Sequence, residues 1–258
     1  MNKCTLCIPT YHRVNTLNCL LASVVGAKDD RIDELLLAIS YEREESIDET
    51  TEHLLRALEI NGVDCTVVDG IDGFLAAKRW FKETARNEIL LMVDDDAVIT
   101  RDYLNLLDDF EKDVAAVNGS LQTPLDIGYY KKYSYDSIPN PPEGTVCNRI
   151  EFKDGDVVLH DKYQVFMLHD PAKYECECLV GTAMFIRKEA LQVDEGYNNG
   201  SCYLDEIDCT YSAYKNGWKL IYDSGAVAFH LHHPTGGLRL KDRKKEMNAA
   251  YFKEKHGL

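Results

Sequence analysis

The sequence has no long apolar run. Nowhere among its 258 residues do about 18 apolar residues stand together, the least that a membrane-spanning helix requires. The N-terminal stretch, Met1-Asn-Lys-Cys-Thr-Leu-Cys-Ile-Pro9, lacks the apolar core of a signal peptide. We therefore expect a cytoplasmic protein without a transmembrane segment, which could still contact a membrane peripherally.

The sequence also lacks an excess of basic residues. It contains 29 Lys and Arg against 44 Asp and Glu, which gives a formal net charge of −15 at pH 7. Nucleic acids and anionic membranes attract proteins through clustered positive charge. One basic cluster, residues 239–245, is too short to reverse the overall sign. We therefore expect no nucleic-acid partner.

Paired cysteines at metal-ligand spacing are missing as well. The nine cysteines are odd in number and spread over the chain, which indicates reduced thiols rather than a disulfide framework. Cys4-x-x-Cys7 lies in a predicted strand, where residues three apart point to opposite faces, and no second pair accompanies it. The G-x-x-x-x-G-K loop that cradles a triphosphate is absent too.

What the sequence does contain is a regular alternation of apolar runs and amphipathic segments over its first hundred residues. Such an alternation predicts right-handed βαβ units around a parallel sheet, as in nucleotide-binding folds. The predicted strands are 5–9, 35–39, 65–68 and 89–93, and the predicted helices are 15–25, 48–60 and 74–86.

The remainder of the sequence is less regular. A stretch rich in Pro and Tyr, 120–173, includes a hairpin with Asp154-Gly155 at its turn. Because no linker separates two domains, we expect one α/β domain over 1–258 with a tail helix in 236–258. Further helices are predicted at 100–112, 188–193 and 205–216, and further strands at 114–119, 179–186, 219–222 and 226–231.

Three consecutive carboxylates, Asp94, Asp95 and Asp96, follow the predicted strand 89–93. In open α/β sheets, ligands bind at the carboxyl ends of the strands. Adjacent carboxylates repel one another there unless a cation or a set of donors offsets their charge. The next helix does not need them as caps, because Thr100 is a good N-cap. We interpret the three aspartates as a metal or phosphate site.

Two later clusters carry further candidates. Tyr203-Leu-Asp-Glu-Ile-Asp208 opens a predicted helix, in which Asp205 suits the N-cap and Asp208 the N3 position. Glu206 is not needed for the cap and is a candidate general base. Phe229-His-Leu-His-His-Pro-Thr-Gly-Gly237 places three histidines at the end of an apolar strand. Aspartate with one imidazole suits Mn²⁺ or Mg²⁺, whereas zinc would require more His or Cys.

Five stretches follow one another in a distinctive order. They are Ile8-Pro-Thr-Tyr-His-Arg13, Val93-Asp-Asp-Asp96, Gly181-Thr-Ala-Met-Phe-Ile-Arg187, Tyr203-Leu-Asp-Glu-Ile-Asp208 and Ala226-Val-Ala-Phe-His230. Over nearly its whole length the sequence thereby resembles the family 2 glycosyltransferases of the GT-A fold, with Val93–Asp96 as the DxD motif. The resemblance implies a Rossmann-like, nucleotide-binding βαβ half (1–118) merged in one domain with a mixed-sheet acceptor and catalytic half (119–235).

The resemblance also implies a site for a nucleotide-sugar donor. Trp80 replaces an asparagine of the family's pattern, so that either Lys78 or Arg79 could face the nucleotide. Glu42 stands where many relatives have an aspartate. The implied donor-binding residues are Pro9, Thr10, Tyr11, Arg13, Glu42, Asp69, Gly73, Lys78, Arg79, Asp94 and Asp95.

A metal and a base are implied in the same way. Asp96, His230 and Asp94 would hold Mn²⁺ or Mg²⁺, with His232 or His233 as substitutes for His230. Glu206 aligns with the family's catalytic base, although the adjacent Asp205 could take that role.

The implied reaction is the inverting transfer of a sugar from a nucleoside-diphosphate sugar to a hydroxyl group. A UDP-sugar is the favoured donor, and the acceptor would be a glycan or glycoconjugate. The stretch 120–173 either contacts that acceptor or only covers the sheet. Two other readings stay open, a nucleotidyltransferase and a non-catalytic protein that binds nucleotide sugars.

Overall fold

The structure is a computed structural model. It describes residues 2–40, 46–122, 150–153, 156–159, 173–179, 181–197, 204–231 and 242–257. Four candidates from the sequence lie outside the described residues, namely Glu42, His232, His233 and the Asp154-Gly155 turn.

The first part of the chain alternates strands and helices, as the sequence predicts. The first four strands are β1 (Cys4–Thr10), β2 (Ile32–Ile39), β3 (Asp64–Val68) and β4 (Ile89–Val93). They are parallel and lie in the order β3-β2-β1-β4, and every residue of β4 is buried, as expected of a strand inside the sheet. The helices are α1 (Val14–Ala27), α2 (Glu49–Ile60) and α3 (Gly73–Thr84).

Local sequence sets the bounds of α2. The side chain of Asp48 accepts a hydrogen bond from the backbone nitrogen of Thr51 at 2.8 Å, and the backbone nitrogen of Asp48 donates to the hydroxyl of Thr51 at 3.2 Å. The helix ends at Asn61, and Gly62 then adopts a φ of 90° that a side chain would strain.

The later strands join the same sheet from its other side. These later strands are β5 (Ala97–Ile99), β6 (Val114–Gln122), β9 (Lys173–Glu175), β10 (Ala183–Arg187) and β11 (Lys219–His230). The nine-stranded sheet has the order β3-β2-β1-β4-β10-β6-β11-β5, with β9 added beside β11. β10 lies antiparallel between β4 and β6, so that the sheet is mixed and continuous across both halves. The hairpin β7 (Ile150–Lys153) and β8 (Asp156–Leu159) forms a separate pair.

Two further α-helices complete the described chain, α4 (Asp205–Lys215) and α5 (Asp242–His256). Among the described residues, no helix combines the length and the apolar character needed to cross a bilayer.

Several predicted elements differ from those observed. The helix predicted at 100–112 is a 3₁₀ helix, Asp102–Asp109, and the strand predicted at 179–186 is confined to β10. The predicted strands 219–222 and 226–231 form the single strand β11, because β6 pairs with both parts across a register shift between Asp223 and Val227.

The helix predicted at 188–193 is wrong. Its first residues form a turn that is fixed by bonds to another part of the chain. The backbone nitrogen of Lys188 donates to the carbonyl of Glu88 at 2.7 Å, and the Lys188 ammonium donates to the carbonyl of Ala85 at 2.8 Å. The turn closes with a bond from the backbone nitrogen of Leu191 to the carbonyl of Arg187, and among the described residues no helix continues from it.

Both faces of the sheet are covered. Fully buried side chains such as Leu17 and Leu20 of α1 pack on one face with the 3₁₀ helix, and Phe81 of α3 packs on the other. The hydroxyl of Tyr103 lies in the first of these layers, where it donates to the carbonyl of Ala183 and accepts from the nitrogen of Gly119. The candidate site lies at the carboxyl ends of β1 and β4.

Candidate active site

The three aspartates at the end of β4 face different partners. Asp95 is buried, and its carboxylate accepts from the Thr10 hydroxyl at 2.7 Å and from an Arg13 guanidinium nitrogen at 2.8 Å. The backbone nitrogen of Tyr11 donates to the same carboxylate at 3.3 Å. Burial raises the pKa of Asp95, and Arg13 opposes that rise. Asp95 therefore ties the loop after β1 to the end of β4, at the position where the resemblance implies a donor-binding residue.

The other two aspartates converge with a histidine. Ligand atoms of Asp94, Asp96 and His230 all lie within 4.8 Å of one another. The Nε2 atom of His230 is 3.2 Å from Oδ1 of Asp96, and an Arg13 nitrogen is 3.0 Å from Oδ2 of the same residue. Two carboxylates and one imidazole form a donor set that suits Mn²⁺ or Mg²⁺.

Strand pairing explains how His230 reaches this group from 134 residues away. His230 is the last residue of β11 and lies opposite Ala97 of β5, which follows the aspartates directly. The backbone nitrogen of Leu231 donates to the carbonyl of Asp96 at 2.7 Å. The pairing of β11 with β5 thus fixes the histidine beside Asp96.

Asp94 lies where negative charge accumulates. Burial raises the pKa of Asp94 well above its usual range, and the nearby carboxylates of Glu206, Asp96 and Asp95 raise it further. Its backbone nitrogen donates to the carbonyl of Thr182 at 2.8 Å, which fixes the residue against the segment before β10. A cation bound at this position would relieve the repulsion.

Glu206 and Asp94 line one pocket. Gly181 lines the same pocket, and a Cβ on this glycine would lie 2.9 Å from the carboxyl carbon of Glu206. The backbone of Gly181 therefore approaches the Glu206 carboxylate as closely as a residue without a side chain allows. The pocket is lined by Pro9, Phe74, Lys78, Met92, Val93, Asp94, Gly181, Met184, Leu191, Glu206 and Cys209.

The acidic start of α4 is anchored by cations instead of forming a cap, which corrects the interpretation from sequence. The N-cap residue is Leu204, with a left-handed φ of 67° and no side-chain hydrogen bond to the helix. Asp205 is buried against the ammonium of Lys78, 2.8 Å away, and Asp208 is buried against Lys255 and His256. Burial raises the pKa of Asp205, while Lys78 opposes that rise.

The remaining candidates fall into two groups. Asp69 is exposed just after β3, and Gly73 begins α3 with a φ of 82°, so that both lie at the same edge of the sheet as Pro9. Arg79 is exposed and forms an ion pair with Glu195, away from the pocket. Of the two neighbouring cations, only Lys78 lines the pocket, and it does so while paired with Asp205.

Sequence reasoning did not assign a role to Gly181, Lys255 or His256. Gly181 has two signals in the sequence, its place shortly before an apolar strand and its place at the start of one of the five stretches that carry the resemblance. For Lys255 and His256 the sequence held no signal, because their contacts cross 47 and 48 residues.

Comparison with known proteins gives a result at the level of structure. No family model matches the sequence, and no curated protein matches it either. The structure of GalNAc-T7 with UDP, GalNAc and Mn²⁺ superposes with a TM-score of 0.62 over 98% of this chain, at 14% identity. The fold is GT-A. The mixed sheet of this chain is thus the sheet of the GT-A fold.

Two other solved structures superpose on this chain with comparable TM-scores. A mannosyltransferase from Pyrobaculum calidifontis, solved with GDP-Man and Mn²⁺, has a TM-score of 0.57 over 91% of this chain, at 16% identity. S. aureus TarS (1-349), solved with UDP-GlcNAc, has a TM-score of 0.61 over 97% of this chain, at 14% identity. The chain spans 48% of the first structure's length, 58% of the mannosyltransferase and 66% of the TarS chain.

Proposed function

We propose that this chain is a divalent-metal-dependent, inverting glycosyltransferase similar to those of family 2. One observation carries the proposal, the convergence of Asp94, Asp96 and His230 at a pocket that Glu206 also lines. Such a site combines ligands for a cation with a carboxylate able to accept a proton. The proposed donor is a nucleoside-diphosphate sugar, with UDP favoured, and the proposed acceptor is a hydroxyl group of a glycan or glycoconjugate.

The donor's nucleotide would lie along the carboxyl edge of β1 and β3. Pro9, Thr10 and Tyr11 end β1 or follow it, while Asp69 and Gly73 lie beyond β3 on the same edge. The solved structures with similar folds contain UDP, UDP-GlcNAc or GDP-Man, which supports this class of donor.

Arg13 and Asp95 would act here mainly as a support. Their mutual contact, together with the bond from Thr10 to Asp95, holds the loop after β1 against the end of β4. We therefore assign Asp95 a positioning role and leave Asp94 and Asp96 to face the donor's phosphates.

Asp94, Asp96 and His230 would hold the cation. Bound there, Mn²⁺ or Mg²⁺ would act as a Lewis acid and offset negative charge on the nucleoside diphosphate as it leaves. The crowding of carboxylates around Asp94 is consistent with this role, because their repulsion is relieved by a bound cation.

Glu206 would be the general base, since Asp205 is already paired with Lys78. The acceptor oxygen would attack the anomeric carbon from the face opposite the diphosphate, forming a new glycosidic bond as the bond from that carbon to the phosphate oxygen breaks. The electron pair of the broken bond leaves with the nucleoside diphosphate, and the acceptor's proton passes to Glu206. A single displacement of this kind inverts the anomeric configuration.

The test compares donor binding and sugar transfer in three proteins, namely wild type, Asp96→Asn and Glu206→Gln. We expect UDP-sugars with Mn²⁺ to raise the melting temperature of wild type and of Glu206→Gln alike, because a ligand of the native state stabilises it. Asp96→Asn should lose the metal-dependent part of that rise. Transfer should stop in Glu206→Gln and in wild type with excess EDTA.

The reaction products separate the proposal from its competitors. Release of UDP with a glycosylated acceptor supports it. Release of pyrophosphate would identify a nucleotidyltransferase. Donor binding without turnover against a broad panel of acceptors would favour a non-catalytic binding protein, and full activity in EDTA would refute the metal's role.

A further inference from the structure

The last turn of α5 contacts the first turn of α4, the turn that carries Glu206. The ammonium of Lys255 lies 2.6 Å from Oδ2 of Asp208, and Nε2 of His256 lies 2.6 Å from Oδ1. Asp208 is 1% exposed and the His256 side chain 7% exposed, so that this contact is largely shielded from solvent. Each oxygen of one carboxylate thus has its own partner from α5.

A second contact fixes α5 next to this one. Lys255 also lies 2.7 Å from a carboxylate oxygen of Asp194, and the hydroxyl of Tyr251 lies 3.0 Å from the other oxygen. A Cβ on Gly196 would lie 2.0 Å from the Tyr251 ring, so that only glycine leaves room for the ring there. The segment before α4 is therefore shaped to receive α5.

Apolar packing joins the two helices between these polar contacts. Phe252 is fully buried, and its ring centroid lies 6.0 Å from that of Tyr211 on α4. The His256 ring lies 4.9 Å from the Tyr211 ring and 4.6 Å from the Phe252 ring. α5 therefore meets α4 with a packed face and not only with charges.

The start of α4 depends on such contacts because its own capping is poor. Leu204 has a left-handed backbone, a conformation that costs energy for a residue with a side chain, and it makes no side-chain cap. Asp205 and Asp208 are three residues apart and share one face of the helix. One is held by Lys78 of α3 and the other by α5, while Glu206 lies between them in sequence.

We propose that Lys255 and His256 are positioning residues, which fix the rotation of the first turn of α4 so that Glu206 faces Asp94 across the pocket. This inference rests on the proposed role of Glu206 as the base. Because both oxygens of the Asp208 carboxylate are held, this group cannot rotate about the bond that attaches it to the side chain without losing one of the two contacts. The first turn of α4, which carries Asp208, is thereby restrained against rotation. Neither residue lines the pocket, so their effect on transfer would be indirect.

The experiment uses the full chain with Lys255→Met, which removes the ammonium and keeps the length of the side chain. Lys253→Met removes the same charge two residues away on α5 and is the matched control. Lys255→Arg restores a cation, and Asp208→Asn combined with Lys255→Met removes both charges of the pair. For each variant we measure kcat, the affinity for UDP with Mn²⁺, and hydrogen exchange of the backbone amides of residues 205–210.

In Lys255→Met we expect kcat to fall about 10- to 100-fold, the size of effect that a small misplacement of a catalytic group produces. The affinity for UDP with Mn²⁺ should stay within about twofold of wild type, since Asp94, Asp96 and His230 lie on other elements. Exchange at 205–210 should be faster in this variant. Lys255→Arg should recover most of kcat, and Lys253→Met should resemble wild type.

Three results would overturn the inference. They are an unchanged kcat in Lys255→Met, a parallel loss of kcat and nucleotide affinity that indicates general unfolding, and unchanged exchange at 205–210. If wild type transfers no sugar to any acceptor, the proposed function fails by itself. The exchange measurement then still decides whether α5 restrains the first turn of α4.

Discussion

The ammonium of Lys78 on α3 lies 2.8 Å from Oδ2 of Asp205 on α4, and both side chains are almost completely buried, at 3% and 1% exposure. The pair joins two helices through residues that are 127 positions apart in the sequence. It lies against the pocket that also holds Glu206. The family resemblance makes Lys78 a candidate for donor binding and Asp205 a candidate for the base. In the structure these two residues form an ion pair with each other.

Breaking this pair from one side should destabilise the fold. Lys78→Met leaves the Asp205 carboxylate buried without its cation, and losses of this kind typically cost about 3–5 kcal/mol. Denaturant unfolding monitored by circular dichroism measures the change. Asp205→Asn added to Lys78→Met should recover part of the loss, because no unpaired charge then remains buried. A loss below about 1 kcal/mol in the single variant would show that the pair contributes little.

Gly181 should tolerate no side chain beside Glu206. In Gly181→Ala the new Cβ would lie 3.1 and 3.2 Å from the two carboxylate oxygens and 2.9 Å from the carboxyl carbon, so that Glu206 must move. We expect transfer to fall by about 10- to 100-fold, because a displaced base loses its alignment with the acceptor. Steady-state kinetics measure the fall in kcat.

The control for this variant is Gly26→Ala in α1. A Cβ there would meet nothing within 4 Å, and alanine is a better helix former than glycine by about 1 kcal/mol. Activity should therefore be unchanged and stability slightly higher. Equal activity of Gly181→Ala and wild type would mean that Glu206 adapts without loss, which would contradict the assigned role of Gly181.

Asp29 and Arg31 should contribute to the acid sensitivity of the fold. The Arg31 guanidinium donates to both carboxylate oxygens of Asp29, at 2.8 and 2.6 Å, and this lowers the pKa of Asp29 below its usual value although burial opposes the shift. A carboxyl whose pKa is lower in the folded state stabilises the protein above the unfolded pKa of about 3.9. That stabilisation is lost as the pH falls through the lower, folded value.

The stability difference between wild type and Asp29→Asn should therefore be full at neutral pH and should shrink as the pH falls below about 4. Guanidinium unfolding at a series of pH values measures it. Asp30→Asn, which changes the exposed neighbouring carboxyl, is the control and should run parallel to wild type. A difference for Asp29→Asn that stays constant down to pH 2.5 would contradict the assignment.

The sequence allowed the position of the main cluster to be predicted, but not the direction of its side chains. The run from Ile89 to Val93 is apolar without alternation, and this locates both a central strand and the aspartates at its end. The role of Asp95 depends on Thr10 and Arg13, which are 85 and 82 residues away. No periodicity within the strand reports contacts of that range.

Local rules failed where distant residues offered stronger partners. Asp205 and Asp208 have the spacing of a helix cap, and in an isolated helix they would serve as one. Cations from α3 and α5 hold both carboxylates instead, through charge-assisted hydrogen bonds, which are stronger than neutral ones. The convergence of His230 with Asp94 and Asp96 likewise required the pairing of β11 with β5.

The position of β10 has a consequence for how the chain is made. β4 emerges from the ribosome about ninety residues before β10, the strand that covers its open edge. Until residue 187 has been synthesised, the first half of the nascent chain exposes an unpaired strand with an apolar sequence, a feature that promotes aggregation. We therefore expect the two halves to fold together, and a fragment that ends before β10 should need a chaperone to stay in solution.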